Sequence, residues 1–186
     1  ARGASYVYTG GQPIRVMSES FNFIGSGYVG EIPMPIIYLI IIVTISVIIM
    51  SRSKLGRHIY AVGGNPTAAR FSGIKNSRVL FFAYLFSGLM AAIAGIVLAS
   101  RMFSGQPTAG QGAEMDAIAA VVLGGTSMSG GVGKIGGTVI GALIIGVLSN
   151  GLNLLGINSF WQYIVKGVVI LIAVYVDFLK KGSKSS

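Results

Sequence analysis

Four long apolar runs, at residues 34–50, 79–100, 137–155 and 160–176, alternate with polar, glycine-rich stretches along this 186-residue chain. A helix needs roughly 20 apolar residues to cross a bilayer, with about 17 as the lower limit. All four runs meet that length, the first and last only just. They predict four membrane-spanning helices. Residues 1–33 interleave polar residues with glycine and aromatics and predict an extracytoplasmic connector lying against the membrane. A fifth apolar run, 117–123, has only seven residues, too few to cross as a regular helix. Asp116 can cap its start, and Gly124 and Gly125 can end it. It predicts a broken or half helix over 116–125. Irregular backbone at membrane depth is tolerated only against protein or a water-filled cavity. Glu114, Asp116, Gly124, Gly125 and Thr126 are therefore the candidate lining of a pathway.

The stretch between the first two spans, 51–78, has a different character. It carries Arg52, Lys54, Arg57, Arg70, Lys75 and Arg78 and no acid. Asn65 can cap a helix, Pro66 fits its first position and Gly73 fits just past its end. This predicts a two-turn polar helix over 66–72, held outside the bilayer. A soluble partner could push on the membrane part there.

Composition agrees with the pattern: 53% apolar, 10% charged and 28 glycines. The net charge of +9 could point to nucleic acid. However, the cations sit at span ends and in loops, and the positive-inside rule accounts for them. With loop 51–78 and the tail (179–186, with Lys180, Lys181 and Lys184) in the cytoplasm, ten of the fourteen cations fall inside, Lys134 among them. The acids Glu19, Glu31, Glu114 and Asp116 fall outside or in the outer half. The broken segment must then cross inward. The domain division is 1–33 connector, 34–178 transmembrane and 179–186 cytoplasmic tail. The chain opens at Ala1, without Met, in loop-like sequence, and reads as a piece of a longer protein.

Small residues four apart (Ser87, Ala91 and Gly95; Gly137 and Gly141; Ala142 and Gly146) predict close helix contacts, which in lipid rest on packing. Without its missing half, the chain is expected to leave the Gly137/Gly141 face without a close partner.

Little else carries chemistry. There are no cysteines, so no disulfide framework or thiolate metal site exists, and no cofactor is expected. His58 stands alone in the basic loop and reads as a surface residue. Gly131, Gly133 and Gly136 spell GxGxxG, but no strand precedes them and no acid follows at the dinucleotide-binding spacing. Lys134 is followed by Ile135 and position 128 is Met, so the phosphate-loop pattern fails too. These glycines predict a tight turn between the half helix and the third span. Glu114 and Asp116, two apart, point different ways on a helix. They can stabilise its positive end or accept hydrogen bonds from a polar solute. Lys166 lies inside the fourth span. It can snorkel beside Trp161 and Tyr163, pair with another helix, or serve transport.

Gly56-Arg57-x-Ile59-Tyr60-Ala61-x-Gly63-Gly64-Asn65, followed by Ala68, Ala69, Ser72, Gly73 and Ile74, resembles the cytoplasmic loop of monosaccharide ABC-importer permeases. The ribose, galactose and xylose branch is nearest, its ribose members above all. QPTAGQGAEMDAIAAVVLGGTSMSGGVGKIGGTVIGALIIG and NGLNLLGINSFWQYIVKGVVILIAVYVD resemble that family's C-terminal half. The family's subunit is longer, and its N-terminal half has no counterpart here.

The resemblance implies a subunit that is not itself an enzyme. It pairs with a second permease copy and with two cytoplasmic ATPase subunits, and a sugar-binding protein delivers the solute. Arg57, Gly63, Gly64, Asn65, Ala68, Ala69 and Gly73 then fall in the loop that docks on the ATPase. The whole predicts an all-α polytopic protein of the bacterial inner membrane, four full spans plus a half helix, with its C-terminus in the cytoplasm. The rival readings are an ion-coupled secondary transporter or channel, and an importer of another small solute such as branched-chain amino acids. An ion-coupled protein would place acids or His inside its spans, where this sequence has only Lys166.

Overall fold

A computed structural model describes residues 2–182. The elements in order are α1 (Arg2–Thr9), β1 (Ile14–Arg15), α2 (Glu19–Ser26), β2 (Tyr28–Val29), β3 (Ile32–Pro33), α3 (Met34–Arg52), α4 (Lys54–Gly64), α5 (Pro66–Phe71), α6 (Asn76–Arg101), β4 (Ser104–Gly105), α7 (Ala113–Leu123), α8 (Ile135–Leu154) and α9 (Ser159–Gly182). Among the described residues, sheet is limited to two antiparallel pairs of two-residue strands, β1 with β4 and β2 with β3. The protein is thus essentially all-helical.

Helices α3, α6 and α8 are long and apolar enough to cross a membrane. The apolar stretch of α9, Phe160–Tyr175, is shorter. Ser46 is the one buried residue of α3, while Leu39, Ile40, Ile41 and Ile48 are exposed. A helix that is apolar all round and uncovered calls for lipid or further protein around it. Together these features make a multi-pass membrane protein.

The chain forms two compact units, one of residues up to 45 with 80–111, the other of 46–79 with 112 onward. In the first, α2 docks on the C-terminal end of α6. The Gly25 amide donates to Ser100 Oγ at 2.6 Å, and Ser100 Oγ donates to the carbonyls of Phe21 (2.7 Å) and Asn22 (3.0 Å). Any side chain at residue 25 would meet the Arg101 amide at 2.6 Å, so glycine is required by proximity. Neither α1 nor α2 is apparent in the polar pattern of 1–33.

The second unit is built around α7, which packs chiefly on α8 and then on α9. Ala119, Ala120 and Ile145 form its core with Leu123, Val169 and Ile170 around them. Gly137 and Gly141 of α8 lie against the backbone of α7, at Gly124 and Ala120 respectively. This corrects the expectation that their face lacks a partner: the partner is α7 of the same chain. Gly146, by contrast, faces open space, as do Gly88 and Gly95 of α6.

Three helices of this unit end alike. At α5, α7 and α8 a glycine with positive φ (Gly73 at 82°, Gly125 at 83°, Gly156 at 69°) follows the last turn. The amide after each glycine bonds back to the carbonyl five residues earlier, as in Ile74 to Ala69 and Thr126 to Val121. This motif satisfies carbonyls that a helix end otherwise strands.

Several boundaries differ from the sequence expectation. Loop 51–78 is mostly helical, because α3 runs on to Arg52 and α4 occupies 54–64 before the expected short helix begins. Ser53 caps α4, its hydroxyl accepting from the Gly56 amide at 3.0 Å. The half helix begins at Ala113, so Asp116 is not its cap. Gly112, at φ 84°, takes the N-cap position and Asp116 falls in the first turn. The third span starts at Ile135. The last helix continues past 178 to Gly182, so the expected tail boundary falls within a helix, and residues 183–186 with Lys184 lie outside the described residues.

Candidate functional site

The polar element between α3 and α6 is an elbow of two helices hinged at one residue. Asn65 terminates α4 and caps α5, its Oδ1 accepting from the Ala68 amide at 2.9 Å, with Pro66 at the first helical position. Asn76 Nδ2 donates to the Pro66 carbonyl at 2.8 Å and ties α5 to the start of α6. Val62, Ala69 and Val79 are buried together, with Ile59 and Ile74 against them. This small core seats α5 on α4.

The candidate coupling residues fall on two sides of this elbow. Arg57, Asn65, Ala68 and Gly73 are exposed. Ala69 is buried and holds the elbow together. Gly63 and Gly64 are exposed on one side, but on the other they meet the backbone of Gly130 and Gly131. A methyl group at residue 63 would come within 2.9 Å of the Gly131 amide nitrogen, and one at residue 131 within 2.7 Å of Gly64 Cα. Beside this contact, Tyr60 Oη donates to the Gly133 carbonyl at 2.8 Å. A cavity of about 360 Å³ adjoins it, lined by Met50, Ile59, Tyr60, Val121, Thr126 and Thr138 among others. Phe71, at the end of α5, is 88% exposed, an apolar ring on an otherwise basic surface.

The candidate pathway residues surround α7. Glu114 is exposed and Asp116 half-buried in its first turn. The acids suit that position, since the N-terminal end of a helix carries partial positive charge. Asp116 faces Lys166 of α9, whose ammonium lies 2.7 Å from Oδ1 and donates to Oδ2 at 3.0 Å. Of the openings the sequence leaves for Lys166, pairing with another helix is the one the structure takes. At the other end of α7, Gly124 lies against Gly137 and Thr138, and Gly125 is exposed. The Thr126 side chain covers Gly133, where a methyl group would come within 2.8 Å of it.

The turn of 125–134 is tied to itself. Ser127 N–H donates to the Val132 carbonyl at 2.9 Å, and Gly130 N–H to the Ser127 carbonyl at 3.1 Å. Gly130 and Gly131 have φ of 85° and 75°. A left-handed conformation, not a phosphate or dinucleotide, explains these two glycines. Among the described residues, no cluster of His, Cys, Asp and Glu could hold a metal ion.

The sequence reading gave no role to Tyr60, or to Gln162, which is buried in α9 and donates to Asn153 Oδ1 at 2.8 Å. Tyr60 stands inside the family-like motif of 56–65, but its contact and that of Gln162 are with residues distant in sequence or across a turn, and no spacing announces those contacts.

A family model described as branched-chain amino acid transport system / permease component matches residues 3–174. The ribose import permease protein of Bacillus subtilis (strain 168) is 53% identical over 183 residues, 97% of this chain and 57% of the relative. That of Escherichia coli (strain K12) is 48% identical over 184 residues, again 97% and 57%. The xylose transport system permease protein of Haemophilus influenzae (strain ATCC 51907 / DSM 11121 / KW20 / Rd) is 46% identical over 150 residues, 81% of this chain and 40% of the relative. The chain thus spans little more than half the length of the ribose permeases it matches. No solved structure gives a significant match.

Proposed function

The chain belongs to the branched-chain amino acid transport system / permease component family, and from that premise we propose that it forms part of the permease subunit of an ATP-driven monosaccharide importer, with ribose as the solute. The observation that carries this reading is the identity of 48–53% to ribose import permeases across 97% of the chain. The family's description names branched-chain amino acids, yet the relatives at this level of identity are named for ribose and xylose. An ion-coupled mechanism is not favoured. The sequences of α3, α6 and α8 contain no acid or histidine to bind a proton or sodium, and Lys166 of α9 is paired with Asp116.

In this reading α3, α6, α8 and α9 are four crossings, and α7 enters the membrane without spanning it. Its 11 residues make about 16 Å of helix, half of a hydrocarbon core of about 30 Å. The basic charge of 51–78 puts the elbow in the cytoplasm. The bond from Tyr60 to Gly133 supports placing 125–134 on that same face. Since α6 leaves the cytoplasm and Gly133 is back at it, the segment containing α7 must complete a return crossing. The C-terminus is then cytoplasmic, with 1–33 outside as a connector, 34–178 as the membrane domain and 179–186 as the tail.

ATP hydrolysis belongs to separate ATPase subunits docked on the elbow, where Arg57, Asn65, Ala68 and Gly73 offer the accessible surface. Gly63, Gly64 and Ala69 support that surface from within. A sugar-binding protein delivers solute from outside, a second permease copy completes the conduit, and Glu114, Asp116, Gly124, Gly125 and Thr126 border the path.

The test is uptake of labelled ribose into proteoliposomes holding the full-length subunit, its ATPase and its binding protein. Uptake that requires ATP and is competed by ribose far better than by leucine is expected. Uptake driven by an ion gradient without ATP, or leucine in preference to ribose, would overturn the reading.

A further inference from the structure

Because Gly63 meets the turn of 125–134 from within, we infer that Tyr60, Gly63, Gly130 and Gly131 form a transmission joint, which carries movement of the α4–α5 elbow to the C-terminal end of α7. The inference rests on the reading of α5 as an ATPase dock. It reassigns Gly63 and Gly64 from the docking surface to the transmission behind it.

The load path begins at α5. One residue separates α5 from α4, the Asn65 cap fixes their angle, and Val62 and Ala69 are buried against each other. A push on α5 therefore moves α4 as well. Tyr60, Gly63 and Gly64 lie three and four residues apart, on one face of α4. That face meets the turn of 125–134 backbone to backbone. A methyl group at residue 130 would strike the Gly63 carbonyl, and one at residue 63 the Gly131 amide. No flexible side chain lies between the two backbones to absorb a displacement. Tyr60 Oη on the Gly133 carbonyl adds a directional tie at the edge.

The far side is equally stiff. The turn is closed by Ser127 and Val132, and it is bonded to α7 through Thr126 N–H on the Val121 carbonyl at 3.1 Å and Gly125 N–H on the Val122 carbonyl at 2.9 Å. Gly124, at the end of α7, rests against Gly137 and Thr138 of α8. Movement of the turn must therefore shift the end of α7 or its seat on α8. The adjoining cavity of about 360 Å³ gives the turn room to move on one side. A joint of glycines suits this role twice over. It lets the two backbones approach closely, and it permits the positive φ that Gly130 and Gly131 adopt.

The experiment uses the complete transporter, full-length permease with its ATPase and binding protein, in proteoliposomes. Tyr60→Phe removes one hydroxyl, and Gly130→Ala drives a methyl group into the Gly63 carbonyl. The readouts are ATPase subunits retained on purification, basal ATP hydrolysis, and ribose carried per ATP. Both variants are expected to retain the ATPase and hydrolyse ATP at the basal rate. Ribose per ATP is expected to fall about threefold in Tyr60→Phe and about tenfold in Gly130→Ala, within the range that residues on a coupling path produce.

Unchanged ribose per ATP in Tyr60→Phe overturns the joint even if Gly130→Ala fails to fold. Loss of the ATPase from Tyr60→Phe also overturns it, by putting this face on the docking surface. Ala68→Arg, on the outer face of α5, tests the premise separately. If the ATPase stays bound and coupled in that variant, α5 is not the dock, whatever the other two variants do.

Discussion

Lys166 of α9 and Asp116 of α7 form an ion pair of unequal burial: the lysine side chain is 12% exposed and the carboxylate 38%. The inequality gives the two deletions different costs. Asp116→Asn strands a cation that is largely buried, whereas Lys166→Met leaves an anion that water still reaches. Breaking a buried pair costs several kcal/mol, and partial exposure reduces that. Asp116→Asn is expected to lower stability by roughly 1–3 kcal/mol, and Lys166→Met by clearly less. Exchanging the two residues should restore only part of the loss, because it puts a cation in the first turn of α7, where the helix dipole opposes it. Thermal unfolding of the purified variants in detergent checks the order.

Asn65→Ala removes the cap that α5 depends on. The expected cost is about 1 kcal/mol, typical of a lost N-cap. It should be local, read as faster hydrogen exchange at the Ala68 amide while α8 keeps its protection. Unchanged exchange at Ala68 would mean that the Val62–Ala69–Val79 core alone holds the helix.

Gly141→Leu should destabilise the packing of α8 on α7 by roughly 1–3 kcal/mol or more, since the side chain would enter the Ala120 backbone. Gly146→Ala, on the open side of the same helix, should stabilise this chain by about 0.5–1 kcal/mol through helix propensity. Chemical denaturation of both variants compares the two sides. Equal effects would contradict the close approach of Gly141 to Ala120.

Cysteines placed singly along α7 in the full-length transporter should label with aqueous thiol reagents at residues 114, 117 and 118. They should stay inert at 119, 120 and 122. The first three positions are exposed, lie on one face and are proposed to meet water, while the others are buried against α8 and α9. Uniform labelling, or none, would remove α7 from the pathway.

Ala68→Arg should retain the subunit in the membrane and abolish ribose uptake, because a small docking surface does not accept that bulk. Uptake by membrane vesicles, set against the amount of subunit in them, measures it.

What the sequence made legible was mostly local. Apolar run length located the long helices, and the Asn65, Pro66 and Gly73 signals located α5, because a cap acts within one turn of the residue that makes it. Gly124 and Gly125 marked the end of α7 for the same reason. Its start was misplaced, since Asp116 has a capping residue's chemistry but Gly112 has the backbone conformation, and conformation decided. The pairings of Lys166 with Asp116, Tyr60 with Gly133, and Gly63 with Gly130 and Gly131 were not legible. Each joins residues 50 or more positions apart, and nothing in residue type or spacing fixes which turn a glycine will touch. Of Gly131, Gly133 and Gly136, expected to make a tight turn, Gly131 does so and also meets Gly64, Gly133 takes the Tyr60 bond, and Gly136 falls in the first turn of α8.

The one-residue elbow at Asn65 has a consequence for rotational phase. Each residue of an α-helix advances the chain by about 100° and 1.5 Å. With only Asn65 between α4 and α5, a single residue inserted in α4 and taken up as helix would swing the outer face of α5 round by about that angle without altering a side chain of α5. The direction in which Ala68 faces is therefore a matter of counting as much as of chemistry. An epitope or fluorophore could be spliced into many polar loops, but not here without turning the elbow away from whatever rests on it.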